Sequence, residues 1–177
     1  MTTATTHTIP DTGELNAIAS ATAAAVSANP AAAVAVFTAS ATPNGRVGSD
    51  IALGTHTVSV DEPPALGGDG SAANPVEYYL AALLSCQIVT YRFWAQRLGI
   101  EIGNLRASAE GDLDVNGFFG LDGQTRPGFQ EVRVTVDIDG PATEEQYREL
   151  QRVVDEHCPV LDLTTSPTPV HTTLNVG

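Results

Sequence analysis

There is no lysine in this sequence: all eight basic residues are arginines, set against 21 acidic ones. That absence removes a Walker A lysine, a Schiff-base lysine and a Ser–Lys dyad together, so nucleotide hydrolysis by a P-loop is excluded. Gly67, Gly68 and Gly70 do not reopen the question, because the strand-to-helix spacing of a phosphate loop is missing around them. Cysteine is almost absent as well. Cys86 and Cys158 are the only two, alongside four histidines, His7, His56, His157 and His171. Neither Cys-x-x-Cys nor His-Glu-x-x-His occurs, so the sequence advertises no thioredoxin pair and no zinc spacing, and it predicts neither metal nor cofactor.

Charge is scarce and one-sided. Only 16% of residues are charged while 42% are hydrophobic, which argues for a packed core and against a disordered polyampholyte. A net charge of −13 disfavours nucleic acid and anionic membrane surfaces as partners. No lysine or arginine precedes Arg46, so a secretory n-region is missing. The Ala-rich run from Leu15 to Phe37 is broken at Asn29-Pro30, and the charge-free run from Tyr78 to Tyr91 is short of the ~20 residues a membrane helix needs. The expectation is a soluble, cytoplasmic protein with no membrane partner, a compartment in which a structural disulfide is not expected.

The length of 177 residues fits one domain with a real core, preceded by an N-terminal tail and Ala-rich helix over 1–30. Met1–Gly13 is Thr-rich and reads as frayed; Leu15–Asn29 reads as a helix ended by Pro30. Ala33–Thr42 and Ile51–Val60 are strand candidates joined through Pro43-Asn44-Gly45, a hairpin with Arg46 near its tip. Asn74-Pro75-Val76-Glu77 combines an N-cap, Pro at the first helical position and a capping-box acid, opening a helix to about Leu98-Gly99. Its first turns carry Leu80, Leu83, Leu84, Ile88 and Val89 on every side, the pattern of a buried central helix. Strands follow over Leu105–Val115 and Val132–Ile138; Asp112 and Asp114 read as the solvated face of the first. Thr143-Glu144-Glu145-Gln146 starts a second capped helix with the stripe Tyr147, Leu150, Val154, ending at His157-Cys158-Pro159. Val170, Thr172, Leu174 and Val176 alternate as a last strand, and the whole order predicts an α+β domain with helices on antiparallel sheets.

Cys86, mid-helix, reads on its own as a small apolar core residue, and Cys158 as a helix terminus whose thiol feels the following turn. The surrounding residues say more. Asp61-Glu62-Pro63-Pro64-Ala65-Leu66-Gly67-Gly68, then Asn74-Pro75-Val76-Glu77-Tyr78-Tyr79-Leu80-Ala81-Ala82-Leu83-Leu84-Ser85-Cys86, resembles the osmotically inducible protein C and organic hydroperoxide resistance (OsmC/Ohr) family. Cys158-Pro159-Val160 is similar to the family's second-cysteine region, and Gly111-Asp112-Leu113-Asp114 with Arg126-Pro127-Gly128-Phe129 to a subgroup of OsmC-like proteins. The resemblance runs from roughly Ala33 to the end and implies an OsmC-like domain over 31–177, a long central helix under antiparallel sheets and an intertwined homodimer.

The resemblance also implies a chemistry: reduction of organic hydroperoxides through a Cys86 sulfenic acid that Cys158 resolves to a disulfide, with a dithiol reductant such as a protein-bound lipoyl group reopening it. The family pairs an arginine of the N-terminal hairpin with a glutamate near the start of the central helix; Arg46 matches the arginine. The sequence departs at the glutamate, since Val76 follows Asn74-Pro75. Glu77 is adjacent, yet nine residues at ~100° each put it about 180° from Cys86 on an ideal helix. Glu62 is the other carboxylate in reach of the pattern. Two further readings stay open: a non-catalytic OsmC-like dimer that binds a small apolar ligand, and a thiol enzyme such as a hydrolase using Cys86, for which only His157 is suggestive. Tyr78, Tyr79, Phe93 and Trp94 read as core or interface packing.

Overall fold

The computed structural model describes residues 13–177, so the Thr-rich Met1–Gly13 stretch, apart from Gly13, lies outside it. Packing gathers into two compact units, the described chain up to Ala82 with Ala109–Arg133, and Leu83–Ser108 with Val134–Gly177.

The first of these begins with α1 (Glu14–Ala28), which buries no residue. Asn29 closes it through its N–H to the Ala25 carbonyl and accepts from the Ala31 amide with its side chain, leading into a 3₁₀ turn over Pro30–Ala33. The expected hairpin is a three-stranded antiparallel meander, β1 (Ala39–Asn44), β2 (Gly48–Leu53) and β3 (His56–Val60). Two corrections follow. The stretch read as one strand from Ile51 to Val60 is folded back at Gly54, whose φ of 60° suits a tight turn. Because β2 turns there, pairing of β1 stops at Ala39 opposite Leu53, and among the described residues no strand pairs with those between Ala33 and Ala39.

Helix α2 (Pro75–Leu98) starts and stops where the sequence places it. The Asn74 amide donates to Glu77 Oε2 at 2.8 Å and the Glu77 amide to Asn74 Oδ1 at 2.9 Å, a reciprocal cap. At the far end Gly99, φ 65°, donates to the Gln96 carbonyl and Ile100 to the Ala95 carbonyl, a Schellman stop. Tyr78 Oη donates to the Ser59 carbonyl, tying the helix start to β3.

In the second unit Leu83, Gln87, Thr90, Tyr91 and Ala95 form the single buried stripe of α2. Tyr91, Ala95, Ile100, Leu150 and Val154 make the core, with Trp94, Leu105, Val136 and Ile138 packed on it. Helix α2 is therefore not covered all round by its own chain: Val89 is 65% exposed, a correction to the fully buried helix expected from its composition. Strands β4 (Asn104–Leu113) and β5 (Phe129–Asp139) pair as a ribbon whose alternation matches their burial. Between them a short α3 (Val115–Phe119) is capped by the Asp114 carboxylate, which accepts from the Asn116 amide; Asp114 is thus a cap rather than a strand-face residue. Asp112 does sit on the open face, paired with Arg133. Helix α4 (Glu144–His157) has the expected Thr143/Gln146 capping box, and α5 (Pro159–Thr165) follows after Cys158.

The last expected strand is not formed. Val170, Leu174 and Val176 are exposed in a segment without regular structure, because no strand among the described residues offers them a ladder. Among the described residues no helix is long and apolar enough to cross a membrane.

Candidate active site

Cys86 lies half-buried midway along α2. Cys158 is the residue between α4 and α5: its N–H donates to the Val154 carbonyl at 2.9 Å and its carbonyl accepts from Asp162 at 3.0 Å. Both helices are thus pinned on one residue whose side chain is 1% exposed. The 3.6-residue periodicity that buries Leu150 and Val154 carries Cys158 to the same inner face of α4. The two cysteines, remote in sequence, are neighbours there, close enough for Cys86 to bear on the ionisation of the Cys158 thiol. Both are free thiols.

Burial pushes the Cys158 thiol above its ordinary range; the Leu161 amide pulls the other way, while the neighbouring Cys86 sulfur and its charge add to the rise. The Thr90 hydroxyl, which donates to the Cys86 carbonyl at 2.8 Å, opposes the rise as the smallest of these influences. Cys158 is accordingly a buried thiol reluctant to ionise, beside a second thiol that is only half-buried. Such a pair can close to a disulfide once one sulfur has been oxidised.

His157 does not join this pair. Its ring stacks on Trp94 with centroids 4.4 Å apart, and Arg97 lies 4.9 Å from the same indole. Among the described residues no hydrogen bond links His157 to Cys86, so the base that a hydrolase reading requires is not provided. Trp94 packs on the core, as expected for it.

The remaining predicted residues belong to the unit that holds the meander. Arg46 occupies the β1–β2 turn, exposed, its aliphatic stem against Gly67. Glu77 uses its carboxylate in the Asn74 cap. Glu62 is half-buried, with its N–H on Asp61 and its carbonyl accepting from Gly70. Among the described residues Arg46 forms no ion pair with Glu62, Glu77 or any other acid. The arginine–glutamate pairing implied by the family pattern is therefore not made within this unit.

Sequence reasoning passed over Asp61. This carboxylate, 8% exposed, accepts from the amides of Glu62, Asp69 and Ser71 and from the Ser71 hydroxyl, gathering the whole Pro/Gly loop around one charge. The loop closes so tightly that a Cβ on Gly68 would sit 1.9 Å from the Glu62 carbonyl oxygen. An acid directly after a strand and before an amide-rich Gly-Gly-Asp-Gly-Ser run was the available signal. These donors lower the Asp61 pKa from 3.8 to about 2, the Ser71 amide and hydroxyl first. A depressed folded pKa means that the contribution to stability is complete above pH 3.8 and drains away as the pH falls through about 2. Asp61→Asn should therefore be less stable than the parent at neutral pH and show a flatter acid limb; equal melting temperatures from neutral pH down to the acid limb would contradict this.

Among the described residues no three His, Cys, Asp or Glu side chains gather to hold a metal. The family model for OsmC-like protein matches residues 68–173, which includes both cysteines, and the chain belongs to that family. No curated protein matches the chain in sequence. Solved structures do match in fold. An OsmC like protein from Mycoplasma pneumoniae is similar with a TM-score of 0.64 at 18% identity, covering 73% of this chain and 87% of that one. An organic hydroperoxide resistance protein OsmC from Legionella pneumophila is similar with a TM-score of 0.59 at 20% identity, over 75% of this chain and 90% of that one. An organic hydroperoxide resistance protein from Elizabethkingia anophelis, with thiocyanate bound, is similar with the same TM-score at 22% identity, over 75% and 89%. The mixed α+β architecture with antiparallel sheets is the OsmC-like fold.

Proposed function

We propose that this protein is a thiol-dependent peroxidase of organic hydroperoxides, with Cys86 as the attacking sulfur and Cys158 as the resolving one. The observation that carries the reading is the thiol pair itself: a half-buried cysteine beside a buried one. The Cys86 thiolate attacks the peroxide; the O–O bond breaks, the alkoxide leaves and is protonated to an alcohol, and Cys86 becomes a sulfenic acid. Cys158 then displaces the hydroxyl as water and closes the disulfide. A dithiol, of which a lipoyl group on a partner protein is the family's example, returns both thiols by exchange. Arg46, with Glu62 or Glu77, is the candidate set for holding Cys86 as thiolate.

The working form in this reading is a cytoplasmic homodimer. Its support is the apolar surface the single chain leaves open, namely Val34, Val36 and Phe37 after the 3₁₀ turn, Val89 on α2, and Val170, Leu174 and Val176 at the C-terminal end. An apolar substrate tail suits such surroundings better than hydrogen peroxide does.

The test is turnover by the purified chain with dihydrolipoamide as reductant, its mass followed by light scattering. The reading expects a dimer that consumes cumene hydroperoxide at least about tenfold faster than hydrogen peroxide, the discrimination one or two apolar contacts supply. A monomer, or equal rates on both peroxides, would contradict it. One observation favours the second reading, a dimer that binds a small apolar ligand without chemistry: Arg46 has no carboxylate partner among the described residues. That reading expects no turnover of either peroxide.

A further inference from the structure

Gln87 follows Cys86 in α2 and stands in the middle of that helix's buried stripe, with Leu83 one turn before it and Tyr91 one turn after. It is itself only 3% exposed. A carboxamide brings two N–H donors and an acceptor oxygen, and buried ones are ordinarily bonded within their own protein. Among the described residues the Gln87 side chain makes no such bond. No side-chain nitrogen or oxygen among them is both sealed from solvent and unpartnered. The trace of surface that Gln87 keeps therefore lies on its amide nitrogen and oxygen: the stem is packed away and the carboxamide faces a narrow opening. An apolar side chain would continue the stripe without hydrogen-bonding groups to desolvate, so glutamine here costs stability with no bond to offset it.

We propose that Gln87 is a catalytic residue of the first step, its amide N–H donating to the peroxide oxygen that leaves when the Cys86 sulfur attacks. This rests on the peroxidase reading and adds to it the group that receives the hydroperoxide. On an ideal helix neighbouring side chains stand about 100° apart, and at a radius of about 5 Å their ends are roughly 7–8 Å from each other. They do not touch, and the gap suits the reaction. A hydroperoxide with its outer oxygen at the sulfur and its inner oxygen on an amide N–H at about 2.9 Å spans that distance. The Cys86 thiolate takes the outer oxygen with its hydrogen; the S–O bond forms and the O–O bond breaks. The inner oxygen leaves as alkoxide with the electron pair and takes up the proton that Cys86 released, giving the alcohol. Charge develops on that oxygen in the transition state, where a donor already in place acts most strongly. The alternative role for Gln87 is to fill its place in the core, and the two roles predict different behaviour.

The experiment measures how fast cumene hydroperoxide consumes the Cys86 thiol of the full reduced chain in the parent, Gln87→Met and Gln87→Leu. Alkylation of Cys86 by iodoacetamide and the melting temperature are followed in parallel. In both variants oxidation should slow by about a hundredfold, the scale on which one donor to a developing oxyanion acts. Alkylation should keep the parent rate, because iodide leaves from carbon and no oxygen anion develops. Both variants should melt at or above the parent temperature, since an unbonded polar group has been replaced by an apolar one. Three results overturn the proposal while leaving the peroxidase reading intact: oxidation at the parent rate in both variants, an equal slowing of oxidation and alkylation, or melting several degrees below the parent in both. A Cys86 thiol that excess cumene hydroperoxide leaves untouched in the parent overturns the peroxidase reading, and the role of Gln87 with it.

Discussion

Cys86→Ser is expected to reduce the reaction with organic hydroperoxides to the uncatalysed background, and Cys158→Ser is expected to fail differently. Serine at position 86 keeps the shape but replaces the nucleophilic, oxidisable sulfur by a hydroxyl that peroxides do not oxidise, so no attack on the O–O bond takes place. Serine at 158 leaves the attacking sulfur in place and removes only its rescue. The sulfenic acid then has no partner thiol and meets a second peroxide, becoming a sulfinic acid about 32 mass units heavier than the reduced protein, in a step that ordinary thiols do not reverse. Mass spectrometry of each variant after excess cumene hydroperoxide separates the two outcomes. An unmodified Cys158→Ser protein, or a Cys86→Ser protein that still consumes peroxide, would exchange or abolish the assigned roles.

Leu150→Ala carries the largest expected effect on stability. Leu150 is fully buried, at the centre of the cluster that joins Tyr91 and Ala95 of α2 to Val154 of α4. Truncation to Ala leaves a cavity and should cost about 2–5 kcal/mol. At roughly 2–4 °C per kcal/mol for a chain of this size, the thermal midpoint should fall by several degrees or more. The consequence reaches the chemistry, because this packing holds Cys158, the residue after α4, against Cys86. Disulfide closure should therefore slow together with the loss in melting temperature. A midpoint within a degree of the parent would mean that Leu150 does not sit in the core described.

Where the sequence and the fold agree, the interactions are local. The Asn74/Glu77 and Thr143/Gln146 boxes, Pro75 at the helix start and Gly99 at its end are each decided by residues within one turn of each other, and the boundaries of α2 and α4 follow from them. The alternation in β5 was legible for the same reason. Features that depend on distant or absent neighbours were not. Among the described residues the alternating Val170–Val176 segment has a strand's pattern and no strand beside it, and the charge-free faces of α2 signal burial that those residues do not supply. Gly54-Thr55 split one apparent strand into two because a tight turn outweighed the β-branched run around it.

The candidate site divides along the same line. Cys86 and Cys158 could be named from their flanking residues, but their proximity depends on how α4 packs against α2. Asp61 escaped because it acts through hydrogen bonds to Asp69 and Ser71 across the loop, which no short pattern encodes. Glu77 was legible twice over, as a cap and as a candidate partner for Arg46, and its carboxylate is engaged in the cap.

The most direct test of the thiol pair is the intact mass and free-thiol count of the reduced protein after one equivalent of cumene hydroperoxide. The expected result is a loss of about two mass units, the two thiol hydrogens, with both thiols gone and the change reversed by a dithiol. Two free thiols surviving an excess of peroxide would contradict it.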